Sequence, residues 1–437
     1  MSIYCRLLSG HLLLSMVSLL LLGNAWAQES KTPISTNSEQ QDKYLSVDAA
    51  VIEALNNNPL VDVITARTAA LQYIPERLGS LDDPQLSLNF ANFPIDDFGT
   101  GNDPMTQIQL GISQKLPFPG KLALRKSVAF ENAKASEWEI EEVKLQLSRQ
   151  VKHMWWQIFF TDRALETVAT NKMLLRQFVE IAQTKYRVGK GIQQDVLLAQ
   201  LELSKLLEKE IQLNESRRNA EVQLNNLLHR PSLQAIALPG TVNTKMPKIM
   251  TERKLQALAR ASRPSIMAAQ KRIDSAQQKV ALAKREKYPD FRIAAIYGQR
   301  ENHSDLASLQ LGMSLPIFVG SKQAKLVDQR SSELLQASYF MQDLFSVVDR
   351  EISMAITKYQ SASEQARLFK TGIIPQAQQT VDAMRAGYQV NQVDFLNLVR
   401  TQITLYNYET QYWQSITKAN QAMAQLVSVI GKESINE

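Results

Sequence analysis

The side chains able to do covalent or metal chemistry are few in this 437-residue chain, and their spacing brings none together. Cys5 is the only cysteine, so a thiolate metal site or a disulfide framework has nothing to build on. His153, His229 and His303 show no i, i+4 pairing, and the methionines are scattered without a cluster, so no metal centre is expected. No Gly-rich phosphate loop and no nucleophile elbow occurs. The acidic pairs Asp82-Asp83 and Asp96-Asp97 fall in loop-like stretches where solvation is the ordinary state. Catalytic residues and cofactors are therefore expected to be absent. What the chain does offer is a polar pattern written twice. Tyr186-Arg187-Val188-Gly189 leads into Asp195-Val196-Leu197-Leu198-Ala199-Gln200, and Tyr388-Gln389-Val390-Asn391 leads into Asn397-Leu398-Val399-Arg400-Thr401-Gln402 at the same internal spacing.

A second anchor has the same offset: Gly111-Ile112-Ser113 with Leu116-Pro117-Phe118 and Gly120-Lys121 answers Gly312-Met313-Ser314-Leu315-Pro316 with Gly320-Ser321-Lys322. Two anchors about two hundred residues apart mean duplication of a unit far longer than a solenoid repeat. The elements that must position the repeated tips follow from hydrophobic period. Gln85-Leu86-Ser87-Leu88-Asn89-Phe90 and Gln107 to Ser113 alternate apolar and polar residues, as do Phe291 to Tyr297 and Ser308 to Met313, which predicts four strands with one face of each kind. Such strands suit either a tilted bilayer crossing or a small soluble sheet. From about Lys121 to Arg187 there is no proline or glycine, which predicts a helix of about 100 Å at roughly 1.5 Å per residue. A second run from about Ser321 to Ala386 is broken only by Gly372 and Pro375, and returning helices are expected from Asp195 to about Leu228 and from Asp394 to about Val429. Helices of this length need coiled-coil partners. Ahead of each hairpin a helix is expected, with Ser46 as N-cap and a break at Asn56-Asn57-Asn58-Pro59 before resumption to about Leu78, and with Ser262-Arg263-Pro264 breaking its counterpart.

Composition supplies an address. Arg6, the apolar run Leu12 to Leu22 and the Ala25-Trp26-Ala27 pattern predict a cleavable signal peptide over 1–27. Cys5 would leave with it, and Gln28 rather than a cysteine would begin the mature chain, so no lipid anchor is expected. The formal charge of +6 is spread among acidic residues along helices, a solvated face rather than a nucleic-acid patch. No later apolar run reaches the length of a membrane helix, so any crossing must use strands. Four strands alone cannot close a barrel in hydrocarbon, because the edge strands would leave backbone groups unpaired. Several copies are then required; three would give twelve strands, though the sequence does not choose among two, three and four.

The segment Asp382-Ala383-Met384-Arg385-Ala386-Gly387-Tyr388 with Thr404-Leu405-Tyr406-Asn407, and in the first half Tyr186, Gly189 and Asp195-Val196-Leu197, resembles the helical hairpins of the TolC family of outer-membrane efflux channels. With the duplication, strand pairs and long helices, the resemblance covers essentially the whole mature chain. It implies a mainly α fold: a long antiparallel coiled-coil helical barrel crossing the periplasm, plus a four-stranded contribution to a trimeric twelve-stranded transmembrane β-barrel. It also implies a homotrimer in the outer membrane, docked onto a periplasmic adaptor and an inner-membrane pump, with no covalent chemistry. The expected organisation is a signal peptide (1–27), a first repeat (28–230, with a β-hairpin at 84–114 and a helical hairpin at 120–230), a connector (231–250) and a second repeat (251–437, with a β-hairpin at 290–315 and a helical hairpin at 320–430).

Residue by residue, the resemblance places the gate at the tips. Tyr388 matches a tyrosine that bonds an aspartate matched by Asp195, whereas the family's arginine position is Val393; alternatively Tyr388 only packs and Asp195 only caps a helix. The family's acidic constriction positions are Asn397 and Arg400, so a ring of Arg400 would repel cations, and Asp394 either restores an acidic lining or caps its helix. Val188, Gly189, Lys190, Val390, Asn391 and Gln392 form the implied adaptor-docking tips, with Gly189 and Asn391 suited to left-handed turns. Gln114-Lys115-Leu116-Pro117-Phe118-Pro119-Gly120-Lys121 resembles the strand-to-helix exit of the heavy-metal-cation branch, pointing to a pump of the resistance-nodulation-division type exporting metal ions or small toxic molecules. A type I secretion duct for polypeptides and a soluble periplasmic coiled-coil scaffold are the alternatives. Trp155-Trp156 with Phe159-Phe160 reads as helix packing.

Overall fold

The longest element is the one whose sequence lacks breakers: α4 (Lys121–Arg187) runs 67 residues without interruption. The computed structural model describes residues 44–432 apart from 96–98, 100 and 102. The expected signal peptide, the polar stretch after it and the pair Asp96-Asp97 lie outside the described residues. Along the lower part of α4 the buried positions Val168, Asn171, Leu175, Phe178 and Ala182 alternate three and four residues apart. That is the seam of a coiled coil, and it places one face of the helix against its neighbours over many turns. The returning helix α5 (Gln193–Leu227) lies along one flank of α4, and α10 (Phe395–Ile430) lies along another. On its far side α10 meets α8 (Ala324–Leu368) and α9 (Ile374–Gln389).

The second long run changes its helical geometry at Gly372 and Pro375, the only breakers in its sequence. A π-helical turn at Phe369–Ile373 joins α8 to α9, and Pro375 occupies the start of α9. Widening the turn moves the hydrogen-bond register, so the donor that proline lacks falls where the ladder is already shifted. Upstream, proline has a stronger effect. α1 (Val47–Asn57) is capped by Ser46, whose Oγ accepts the Ala49 amide, and Asn58 caps α2 (Pro59–Gln72). That helix stops short of the expected Leu78, because Pro75 restarts the chain as a separate turn, α3 (Ile74–Gly79). In the second half α6 (Glu252–Ser262) and α7 (Pro264–Arg285) meet at Arg263, where Pro264 opens the new helix.

The four strands form one antiparallel sheet in chain order: β1 (Gln85–Ala91), β2 (Gln107–Leu116), β3 (Phe291–Gln299) and β4 (Leu306–Met313). β2 extends past the expected end of its hairpin, since Lys115 and Leu116 pair with Arg292 and Phe291. Register aligns Leu88, Leu110, Tyr297 and Ala307 across the sheet, and Leu86, Ile112, Ala295 and Leu309 beside them. One face is therefore apolar, while Ser87, Asn89, Gln109, Ser113, Ser308 and Gln310 project from the other. The apolar face has no cover among the described residues: Leu311 is 75% exposed, and Leu86, Leu88, Phe90 and Leu309 are similarly open. Strands β1 and β4 each have one unpaired edge.

Two polar clusters fix how sheet, helices and connector join. At the corner where β2 becomes α4, the Lys121 side chain is 1% exposed. Its Nζ donates to Asp290 Oδ1 at 2.9 Å, Glu286 Oε2 at 3.2 Å and the Tyr288 carbonyl at 3.0 Å. One buried ammonium thus ties the exit of the first hairpin to the entry of the second. Gly120 turns the chain there with φ of 87°, and a Cβ at that position would lie 2.6 Å from Arg285 Nη1. The connector is held by Glu221, a buried carboxylate that accepts the Ile236 amide and is paired with Arg217 and Arg218. Ile236 and Leu238 then pack with Trp155, Trp156 and Phe159 beneath α1, as expected for an aromatic packing cluster. Trp155 Nε1 donates to the Leu45 carbonyl at 2.9 Å.

Removing the ammonium while keeping the stem leaves Asp290 with only the Phe118 amide and Glu286 with only the more distant Arg125. Lys121→Met is expected to cost about 3–5 kcal/mol, the usual penalty for breaking a buried pair. Thermal loss of the helical circular-dichroism signal measures it, and an unchanged melting temperature would show that the corner does not depend on this charge.

Candidate functional site at the helical tips

Both tips close by the same backbone device. In the first, the Lys190 amide donates to the Lys185 carbonyl at 2.8 Å and the Gly189 amide to the Tyr186 carbonyl at 3.1 Å. In the second, Gln392 donates to Gly387 at 2.9 Å and Asn391 to Tyr388 at 3.2 Å. These are helix C-terminal motifs that need a left-handed residue, and Gly189 (φ 70°) and Asn391 (φ 59°) supply it, as their types suggested. Val188 and Val390 occupy equivalent places and are 62% and 63% exposed, with Lys190 and Gln392 exposed beside them.

Equivalent backbones carry side chains with different surroundings. Tyr186 is 48% exposed, whereas Tyr388 is 6% exposed and belongs to a cluster with Leu175, Phe178, Ala182, Ala199, Phe395, Leu398 and Val399. The second tip therefore folds its tyrosine onto the first hairpin. Phe395 lies 5.2 Å from the Tyr388 ring and 6.5 Å from that of Phe178, centroid to centroid. Below this cluster, Gln402 Nε2 donates to Asn171 Oδ1 at 2.7 Å, a buried bond between the two hairpins. Val393, where the resemblance would place an arginine, fills space against Gly387; a Cβ on Gly387 would approach Val393 Cγ2 to 2.6 Å.

The Tyr388 hydroxyl is buried without a hydrogen-bond partner, so the bond to Asp195 implied by the resemblance is not made in this arrangement. The two groups nevertheless sense each other. Burial pushes the Tyr388 phenol up to about 12, with the Asp195 charge adding to the shift. Asp195 stands above the ordinary carboxylate range because of burial and then of Asp394, while Lys185 pulls the other way. Asp195 lies in the first turn of α5, whose N-cap is Ile192, and Asp394 occupies the N-cap position of α10 without a side-chain capping bond.

Asn397 and Arg400 are exposed and begin a stripe along α10 that continues through Thr404, Asn407, Gln411, Gln414 and Lys418 at alternating spacings of three and four. The stripe contains no carboxylate. Among the described residues no group of three or more acidic, histidine or cysteine side chains could hold a metal ion.

Sequence reasoning missed Lys185. Its Nζ donates to the Tyr388 carbonyl at 2.7 Å and to Asn391 Oδ1 at 2.8 Å, and lies 3.8 Å from the Tyr388 ring centroid. A lysine in the last turn of a helix has an ordinary explanation in the helix dipole, which hides any other role. The buried Asn171–Gln402 pair left a signal that could have been read: two amides at seam positions of otherwise apolar periodicity.

A family model described as outer membrane efflux protein matches residues 51–229 and 255–432, two blocks separated by the connector. The cobalt-zinc-cadmium resistance protein CzcC of Cupriavidus metallidurans is 19% identical over 314 residues, covering 72% of this chain and 74% of that protein. Among solved structures, CusC superposes with a TM-score of 0.77 at 15% identity, over 94% of this chain and 99% of that one. The outer membrane protein VceC of Vibrio cholerae gives 0.76 at 18% identity, over 89% and 97%. At these identities the structural likeness speaks for the fold.

Two outcomes are expected at Tyr388 and Asp195. Replacing a buried hydroxyl that bonds nothing is close to neutral or favourable, so Tyr388→Phe should leave the melting temperature unchanged or raise it; a clear fall would show that the hydroxyl is bonded. The raised native pKa of Asp195 means that its contribution to stability is fully present below the ordinary aspartate value and is lost as pH rises through the raised one. Asp195→Asn should therefore stabilise the tips at neutral pH by less than ~1 kcal/mol and not in acid, which thermal melts at the two pH values would compare.

Proposed function

The chain belongs to the outer membrane efflux protein family, and from that premise we propose that it is the exit duct of a tripartite efflux system: a homotrimer whose twelve strands close a barrel in the outer membrane and whose helical hairpins line a passage through the periplasm. Members of the family are transport ducts, not enzymes. The observation that carries the reading is the sheet. Its apolar face is open to the surroundings, its opposite face is polar, and its two outer strands have free edges. A bilayer supplies the missing apolar cover, and neighbouring copies supply the missing backbone partners. Among the described residues no helix is long and apolar enough to cross a membrane.

In this reading the two repeats, 28–230 and 251–437, each contribute a β-hairpin and a helical hairpin, joined by the connector 231–250, and the signal peptide directs export. The tips carry the gate, with Tyr388, Asp195, Asp394, Asn397 and Arg400 at or near the constriction. The exposed Val188, Gly189 and Lys190 and their counterparts Val390, Asn391 and Gln392 dock a periplasmic adaptor. An inner-membrane pump, of the resistance-nodulation-division type, delivers the cargo. The likeness to CzcC and the Leu116-Pro117-Phe118-Pro119-Gly120-Lys121 corner favour metal ions or small toxic molecules as that cargo.

The expected result is a heat-modifiable trimer in outer-membrane fractions that forms channels in planar bilayers; a soluble periplasmic monomer would overturn the duct. With three Arg400 side chains near the constriction, Arg400→Glu should shift the reversal potential in a salt gradient toward cation selectivity, and no shift would remove Arg400 from the pore lining. Deleting the gene and profiling sensitivity to cobalt, zinc and cadmium against detergents and dyes would identify the cargo class.

A further inference from the structure

We propose that Lys185 is the latch that holds the second tip on the first, with Asn391 as its receiver; the inference rests on the gated-duct reading above. Lys185 sits one turn before the bend of the first hairpin, and both of its acceptors belong to the second. The ammonium is held from three sides: by the Tyr388 carbonyl at 2.7 Å, by Asn391 Oδ1 at 2.8 Å and by the face of the Tyr388 ring at 3.8 Å. Charge-assisted bonds of this kind exceed the neutral contacts around them. Among the nearby charges, Asp195 is pulled downward by Lys185 and pushed up by Asp394.

The latch explains a difference between the two tips that turn geometry leaves open. Each bend needs a residue with positive φ, and glycine meets that need at no steric cost. The first tip uses Gly189. The second uses Asn391, whose side-chain oxygen glycine lacks, and that oxygen is the one that receives Lys185. The arrangement cannot be reciprocal. The position equivalent to Lys185 in the second hairpin is Gly387, where a side chain would collide with Val393. In the first hairpin, Gly191 clears the lysine: a Cβ on it would stand 3.0 Å from Lys185 Cβ. The first hairpin thus carries the donor and the second carries only acceptors. With Tyr388 making no hydroxyl bond and Val393 where the resemblance places an arginine, Lys185 is the polar tie between the tips that this structure records.

Two variants test the latch without disturbing the fold. Lys185→Met keeps the stem and removes the charge; Asn391→Gly keeps the left-handed turn and removes the receiving oxygen. In planar bilayers each should raise the open probability of the trimer on the order of tenfold, the scale of a lost hydrogen bond to a charged group. The double variant should open the channel no more than Lys185→Met alone, because the bond that Asn391→Gly removes is one of those that Lys185→Met already removes. Lys185→Arg, which keeps a donor, should restore much of the closure. In cells, Lys185→Met should sensitise to vancomycin, a large hydrophilic probe, at an unchanged level of trimer in the outer membrane. Wild-type channels with Lys185→Met indistinguishable from them, or additive effects of the two variants, would overturn the latch and leave the duct standing. Wild-type protein that forms no channel would overturn the duct and the latch with it.

Discussion

The constraint on which the rest of the structure depends is that backbone amides and carbonyls cannot be left unpaired in hydrocarbon. The four strands meet it inside the sheet and fail to meet it at β1 and β4, whose outer edges are free. Their apolar side chains fail in the complementary way, covered by nothing among the described residues. Bilayer and additional copies resolve both at once on the proposed reading, and neither resolves them alone. The corner beneath the sheet then has to transmit that geometry into the helices. Lys121 does so with a buried charge rather than an apolar plug, because its three acceptors come from the segment between α7 and β3. Buried pairs often add little net stability against a well-packed apolar alternative, but they are strict about geometry. At a junction where a sheet must meet a helix of 67 residues at one angle, strictness is what is needed.

Below the corner the duplicated halves diverge. The first long helix runs unbroken, while the second passes through a π-turn beside Gly372 and Pro375. At the tips the two closing backbone bonds correspond, yet Tyr186 is half exposed and Tyr388 is buried, Asp195 answers Asn397, and Lys185 answers Gly387. These differences convert two similar hairpins into an acceptor and a donor. The surface between them is mostly apolar, with Phe178, Phe395 and Val399 in contact, and the directional bonds from Lys185 and between Asn171 and Gln402 set its register. Apolar contacts alone would allow the hairpins to slide; hydrogen bonds at two heights do not.

On the proposed reading, the charge pattern along α10 bears on what passes. Its exposed stripe has amides, hydroxyls, Arg400 and Lys418 and no carboxylate. Such a surface does not attract divalent cations as an acidic ring would, so the likeness to a metal-resistance protein and the chemistry of this stripe pull in different directions. A duct can conduct an ion without binding it, and pump and adaptor rather than this wall would then choose the cargo.

Much of the architecture was legible in the residues. Alternation at Leu86-Ser87-Leu88-Asn89-Phe90 fixed a two-faced strand, absence of proline and glycine between Lys121 and Arg187 fixed a continuous helix, and Gly189 and Asn391 marked the bends. Local rules of period and backbone freedom suffice for these, because each depends on near neighbours in the chain. The same rules marked Gly372 and Pro375 as the breakers of the second run, and the α-helix changes there, but they did not say that a π-turn would carry the chain through. They were silent on which tyrosine is buried, on whether its hydroxyl finds Asp195, and on what Lys185 reaches. Those outcomes join residues some two hundred positions apart, and they are decided by how two hairpins settle against each other: an apolar seam sets the approach, and only then does a particular ammonium lie within reach of a particular carbonyl.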